Sequence, residues 1–164
     1  MSNENAMSKE NATIDELEKH AEAIRAEIRL PKQQSDVFRA AVEAGYLTAL
    51  ADGEVDRAER SSLVRAVEIL SVGAVIEWEV DQLVEDCIAR VKTEGASKRA
   101  EAVGSDLKKL GQAEAGIFIA AIVARATKRI EKSEAEVLKT VGKAAGLSND
   151  QVAAIVKRST ALAG

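Results

Sequence analysis

The stretch from Ala113 to Thr127 (AEAGIFIAAIVARAT) most restricts how this chain can fold, because it is apolar almost all round. A helix with a single apolar stripe can lie on a surface, whereas one without a polar face has to be enclosed by other elements. Its longest apolar run, Ala115 to Ala124, is ten residues, well short of the roughly 20 that a bilayer span needs. The expectation is a central, buried helix around which the rest of the chain is wrapped.

The remaining sequence supplies that wrapping. Ile14, Leu17, Ala21, Ile24 and Ile28 follow heptad spacing, between a Thr13/Glu16 capping-box pattern and Pro31, which ends the helix. Further helices are expected over about 36–51, with Val37, Phe38, Ala41, Val42 and Leu50 apolar, and after Asp56, with Leu63, Val67 and Leu70 on the stripe. Asp56 stands three residues before Glu59, again in capping-box spacing. The pattern continues over about 75–92 (Ile76, Val80, Leu83, Val84, Cys87 and Val91 on one side) and over 97–110 (Ala100, Val103, Leu107 and Leu110). Two last helices follow at about 134–145 and 149–160, the second opened by a Ser148/Gln151 box. No window alternates with period two. Four aromatics (Phe38, Tyr46, Trp78 and Phe118) and one proline among 164 residues also leave little for a sheet to use. The fold class read from this is all-α: a single-domain bundle of about seven or eight helices over residues 13–164. Residues 1–12 are polar and patternless and read as a disordered tail.

The bundle carries a weak internal repeat. A shift of 75 residues places Ala51–Asp56 on Ala126–Glu131, Glu59 on Glu134, Leu63 on Leu138 and Leu47 on Ile122. The repeat-like halves are about 37–92 and 112–160, and duplicated hairpins of this kind pack about a pseudo-two-fold around one core.

Charge is divided along the same line. The net charge is −4, but residues 1–94 hold 20 acidic and 11 basic side chains, and residues 95–164 hold 7 and 12. The dispersed bases of the second half lack interleaved aromatics, so no nucleic-acid partner is expected. A lone cysteine, Cys87, excludes a disulfide framework, and with a single histidine, His20, there is little basis for a Cys–His nucleophile. No glycine-rich phosphate loop, dinucleotide fingerprint or nucleophile elbow is present. The expectation is a non-enzymatic protein, and with no secretory signal or membrane span in view, a cytoplasmic one.

The most informative segment is ALADGEVDRAE, Ala49 to Glu59, where Asp52, Glu54, Asp56 and Glu59 cluster between two helices. Hard cations such as Ca²⁺ and Mg²⁺ take several oxygens in a tight shell, which alternating loop carboxylates can supply, with Val55 anchoring the loop inward. The spacing is not that of an EF-hand: positions six and twelve counted from Asp52 hold Arg57 and Leu63 instead of glycine and glutamate. The competing reading is that Asp56 and Glu59 only cap the following helix and Gly53 only makes the turn.

The Ala-Asp-Gly-Glu-Val-Asp-x-x-Glu pattern, with Leu63 and Ile69-Leu70 after it and the Lys143–Ser148 stretch later, resembles the TerB-like tellurite-resistance family over about residues 37–156. The resemblance implies an all-helical bundle of a duplicated unit, a bacterial stress-associated role without known catalysis, and Asp52, Glu54, Asp56 and Glu59 as metal ligands. The second copy departs from the pattern, with Thr127, Lys128 and Arg129 in place of acids or glycine. Lys128 and Arg129 are therefore expected as loop charge partners, fixed cations that neutralise the acidic loop across the pseudo-two-fold.

A second candidate surface is Trp78 with Asp81 and Glu85, opposite the apolar stripe of its helix. An aromatic on an acidic face suits a protein-partner anchor, and the i, i+4 acids beside it repel one another until a cation arrives. Together these features predict a module that binds a partner protein, and a divalent cation (Ca²⁺ or Mg²⁺), through its acidic loop. The alternative is a metal-free adaptor using opposed acidic and basic faces.

Overall fold

The structure is a computed structural model that describes residues 17–24, 26, 35–51, 53–71, 77–127 and 132–163. Every regular element among the described residues is helical: α1 (residues 17–24), α2 (Ser35–Leu50), α3 (Arg57–Ser71), α4 (Glu77–Glu94), α5 (Ala96–Leu110), α6 (Ala113–Thr127), α7 (Lys132–Ala144) and α8 (Asn149–Ala163). They form one bundle. None of these helices is long and apolar enough to cross a membrane.

α6 lies where its composition requires. Every residue from Gly116 to Ala124 is buried, and α2, α3 and α8 all pack against it. Less expected is α2, which is as deeply enclosed: Ala41 to Ala49 are buried without interruption, including Glu43 and Thr48. Thr48 resolves its own polarity by donating its hydroxyl to the Ala44 carbonyl at 2.7 Å. α2 and α6 make the most extensive helix–helix contact, and they approach closely enough that a Cβ on Gly45 would stand 2.7 Å from Val123 Cγ1. α5 meets α7 in the same manner, with Gly104 against the Val141 carbonyl and Ala144.

The outer helices bury single stripes, as their periodicity predicts. Leu17, Ala21 and Ile24 of α1 are buried, as are Leu63, Val67 and Leu70 of α3, Val80, Val84 and Cys87 of α4, and Ala100, Val103 and Leu107 of α5. Leu110 departs from this pattern: it is 40% exposed. It is the last residue of α5, where Gly111 adopts a left-handed cap (φ 68°) and turns the chain off the stripe. α3 packs on α6 and α7 on α2, while α4 lies on α2 and α8 on α6. The boxes at Asp56/Glu59 and Ser148/Gln151 both form; Gln151 N–H donates to Ser148 Oγ at 3.1 Å and Ser148 N–H to Gln151 Oε1 at 2.8 Å. The Thr13/Glu16 box lies outside the described residues.

Candidate functional site

The acidic loop leads directly into α3. Glu59 N–H donates to Asp56 Oδ1 at 2.8 Å, and Asp56 N–H donates to Glu59 Oε1 at 3.2 Å, so the two carboxylates satisfy backbone amides that a helix start leaves open. Val55 is half-buried and packs on the core, fixing the loop, while Glu54 is exposed. Asp52 lies outside the described residues, as do Lys128 and Arg129. Among the described residues, no three His, Cys, Asp or Glu side chains come together as a metal-binding group.

One turn into α3 stands Arg60, which no motif in the sequence marks. Its Nη1 donates to Glu85 Oε1 at 2.8 Å, its Nε to Asp81 Oδ1 at 3.3 Å and its Nη2 to the Asp81 carbonyl at 3.3 Å. Burial works to lower the Arg60 pKa, but hydrogen bonds to Glu85 and Asp81 outweigh it and hold the group above its usual value. The acids of the α4 face, which repel one another in isolation, therefore meet a cation from within the fold. Trp78 lies one turn before Asp81 in α4, and its side chain is outside the described residues.

Arg60 thereby joins two regions that look separate in sequence. Asp56, Arg57, Arg60, Ser61, Val64 and Asp81 line a groove of about 690 Å³ that runs along α3 between the acidic loop and α4. Arg65 and Glu68 extend it towards α1; Arg65 Nη2 donates to Glu18 Oε1 at 2.6 Å and its Nη1 lies 3.6 Å from Glu68 Oε2. The groove is polar, with cations and carboxylates alternating along its wall.

A second charged centre sits on the other side of α4. Glu43 of α2, only 6% exposed, receives the Arg99 guanidinium in a two-pronged grip: Nε to Oε2 at 2.7 Å and Nη2 to Oε1 at 3.0 Å. Arg90 Nη1 adds a third bond at 3.3 Å. Hydrogen bonding to Glu43 holds the Arg99 pKa above its usual value against the opposing effect of burial. Cys87 borders the same cluster; burial first, then the Glu43 charge, push its thiol up to about 12. Glu43, Cys87 and Arg90 line a groove of about 450 Å³ between α2, α4 and α5, whose apolar floor includes Leu83 and Val103. The sequence does carry one sign of this centre: Glu43 is the single charge in AAVEAGYLTAL, a run otherwise fit for a core.

Compared with known proteins, the chain matches no family model, no curated protein and no solved structure.

Proposed function

We propose that this chain is a non-catalytic helical interaction module of the TerB-like, stress-associated kind, which docks a partner protein along the charged groove between the acidic loop, α3 and α4. The observation that carries this reading is Arg60: it gathers Asp81 and Glu85 beside the wall that Asp56 and Arg57 form, so Asp56 of the loop and Asp81 of α4 line one groove. Alternating charge over the half-buried Val55 and the buried Val64 suits recognition of a protein surface, where charge pattern sets partner choice more than raw affinity. The reciprocal packing of α3 on α6 and α7 on α2 is what a repeat about a pseudo-two-fold would give, and we read it as supporting the duplication. The metal-free form of the module is favoured, because Asp56 and Glu59 are engaged with backbone amides and the α4 acids with a guanidinium.

Two measurements test the reading. Melting curves in the presence and absence of about 5 mM Ca²⁺ or Mg²⁺ should coincide; a midpoint that climbs with cation concentration, and that Asp56→Asn abolishes, would establish the loop as a cation site instead. Affinity capture with the parent and with Arg57→Glu/Ser61→Arg should recover a partner that the groove variant loses and a Lys157→Glu control on α8 retains. Equal recovery by all three would remove the groove from the function.

A further inference from the structure

The two arginine–carboxylate clusters share one helix. α4 is tied to α3 near its start, through Arg60 with Asp81 and Glu85, and to α2 near its end, through Arg90 with Glu43. Among the described side chains of α4, Val80, Val84 and Cys87 are buried, and Leu83, Ile88 and Val91 pack partly buried against the core. The α4 ends of these ties are open to water, while their partners Arg60 and Glu43 are 27% and 8% exposed. The side chain of Asp81 is 46% exposed, that of Glu85 58% and that of Arg90 50%.

The next helix is held differently. Arg99 of α5 grips the same Glu43 carboxylate with two short bonds, and both side chains are almost enclosed, at 12% and 8% exposed. One residue separates the two arms, Gly95, with φ 90° and ψ 150°. A Cβ there would meet nothing within 4 Å, so the elbow turns in open space. That backbone region is one that residues other than glycine rarely adopt. Alongside α4, between it and α2 and α5, runs the groove of about 450 Å³ walled by Glu43, Cys87 and Arg90.

We infer that α4 is a strap: it pivots at Gly95 and lifts from α2 and α3 when its exposed ion pairs release, while the Glu43–Arg99 grip keeps α5 in place. Lifting carries Asp81 and Glu85 away from Arg60 and uncovers Cys87. Tyr46 of α2, buried and within electrostatic reach of Cys87, Arg60 and Glu85, is uncovered with it. Half-exposed pairs are screened by salt and buried ones much less, so ionic strength acts selectively on the movable arm. The inference stands on the unequal fastening of the two arms and holds whatever partner the α3–α4 groove receives.

Cys87, the lone cysteine, reports the motion directly. Its rate of labelling by a small disulfide reagent at pH 8 is measured together with amide hydrogen exchange, in the parent at about 0.05 and 1 M NaCl and in Arg60→Met/Arg90→Met. In the parent, salt should speed Cys87 labelling and α4 exchange severalfold and leave the α6 amides slow. The double variant should label about tenfold faster at low salt, the loss expected from two such ties, and should have lost most of the salt response. If Cys87 labelling and α4 exchange keep pace with α6 in the parent at both salt concentrations, α4 belongs to one cooperative unit and the strap is refuted. Unchanged labelling in a folded double variant refutes it equally. Should the double variant fail to fold, the salt series on the parent decides alone.

Discussion

Glu43 shows what one misplaced-looking residue does in a bundle. A carboxylate within a buried helix is tolerated only if its charge is matched and its oxygens are bonded, and Arg99 and Arg90 do both. Removing one member strands the other, so Glu43→Ala should cost about 3–5 kcal/mol, far more than its lost contacts. Urea titration measures this, and a loss below about 1 kcal/mol would mean that the cluster is solvated in solution. The same residue marks a limit of sequence reading. Asp56 and Glu59 are three positions apart, and their mutual capping follows from spacing alone. Glu43 and Arg99 are 56 positions apart and meet only because α5 folds back over α2. Arg60 was invisible for the same reason: its two acidic partners lie 21 and 25 residues downstream.

At the level of the element, periodicity and capping pairs located α2 to α8 to within about three residues at each end. α6 spans Ala113–Thr127 as its pattern requires, and α3 starts immediately after its Asp56 cap. What periodicity could not convey is depth. α2 carries Glu43 and Thr48, which by themselves argue against full burial, yet it is enclosed because one polar group is paired and the other bonds to its own turn. Close approach was equally hidden, since a glycine in a helical pattern usually reads as a weakness. At Gly104 the missing side chain is a condition of contact: a Cβ would collide with the Val141 carbonyl and the Ala144 methyl, and backbone does not rotate aside. Gly104→Ala should therefore destabilise by about 1–3 kcal/mol through overpacking, despite the better helix propensity of alanine. A melting temperature equal to or above the parent's would show that α5 and α7 can separate freely.

For the molecule as a whole, the sequence showed an all-helical chain with an acidic first part and a basic second part, but not how the charges meet. The described ion pairs between helices mostly unite arginines and acids of the first half, as with Arg60 and α4 or Arg65 and α1; Arg99 is the second-half cation that crosses over to it. Whether Lys128 and Arg129 join them falls outside the described residues. The global pH response follows from groups buried in neutral form. Cys87 is raised from 9.0 to about 12 and Tyr46 is raised above 10.0, each chiefly by burial. A raised pKa stabilises the fold fully below the unfolded value and is lost as pH climbs through the folded one. Stability from Cys87 should thus be intact to about pH 9 and decline towards pH 12, with Tyr46 adding to the decline above pH 10. Urea midpoints compared between pH 8 and 10.5 should fall less for Cys87→Ala than for the parent; parallel slopes would contradict the burial of the thiol.

The pairing of α2 with α6 also sets an order of events during synthesis. The ribosome releases α2 long before α6, so the face of α2 that packs on α6 stays uncovered until Thr127 has left the exit tunnel, even where α4 and α5 have already docked on its other sides. A nascent chain in that condition is exposed to wrong contacts. It is therefore in the interval between α2 and α6, more than in the finished bundle, that this protein would depend on a chaperone.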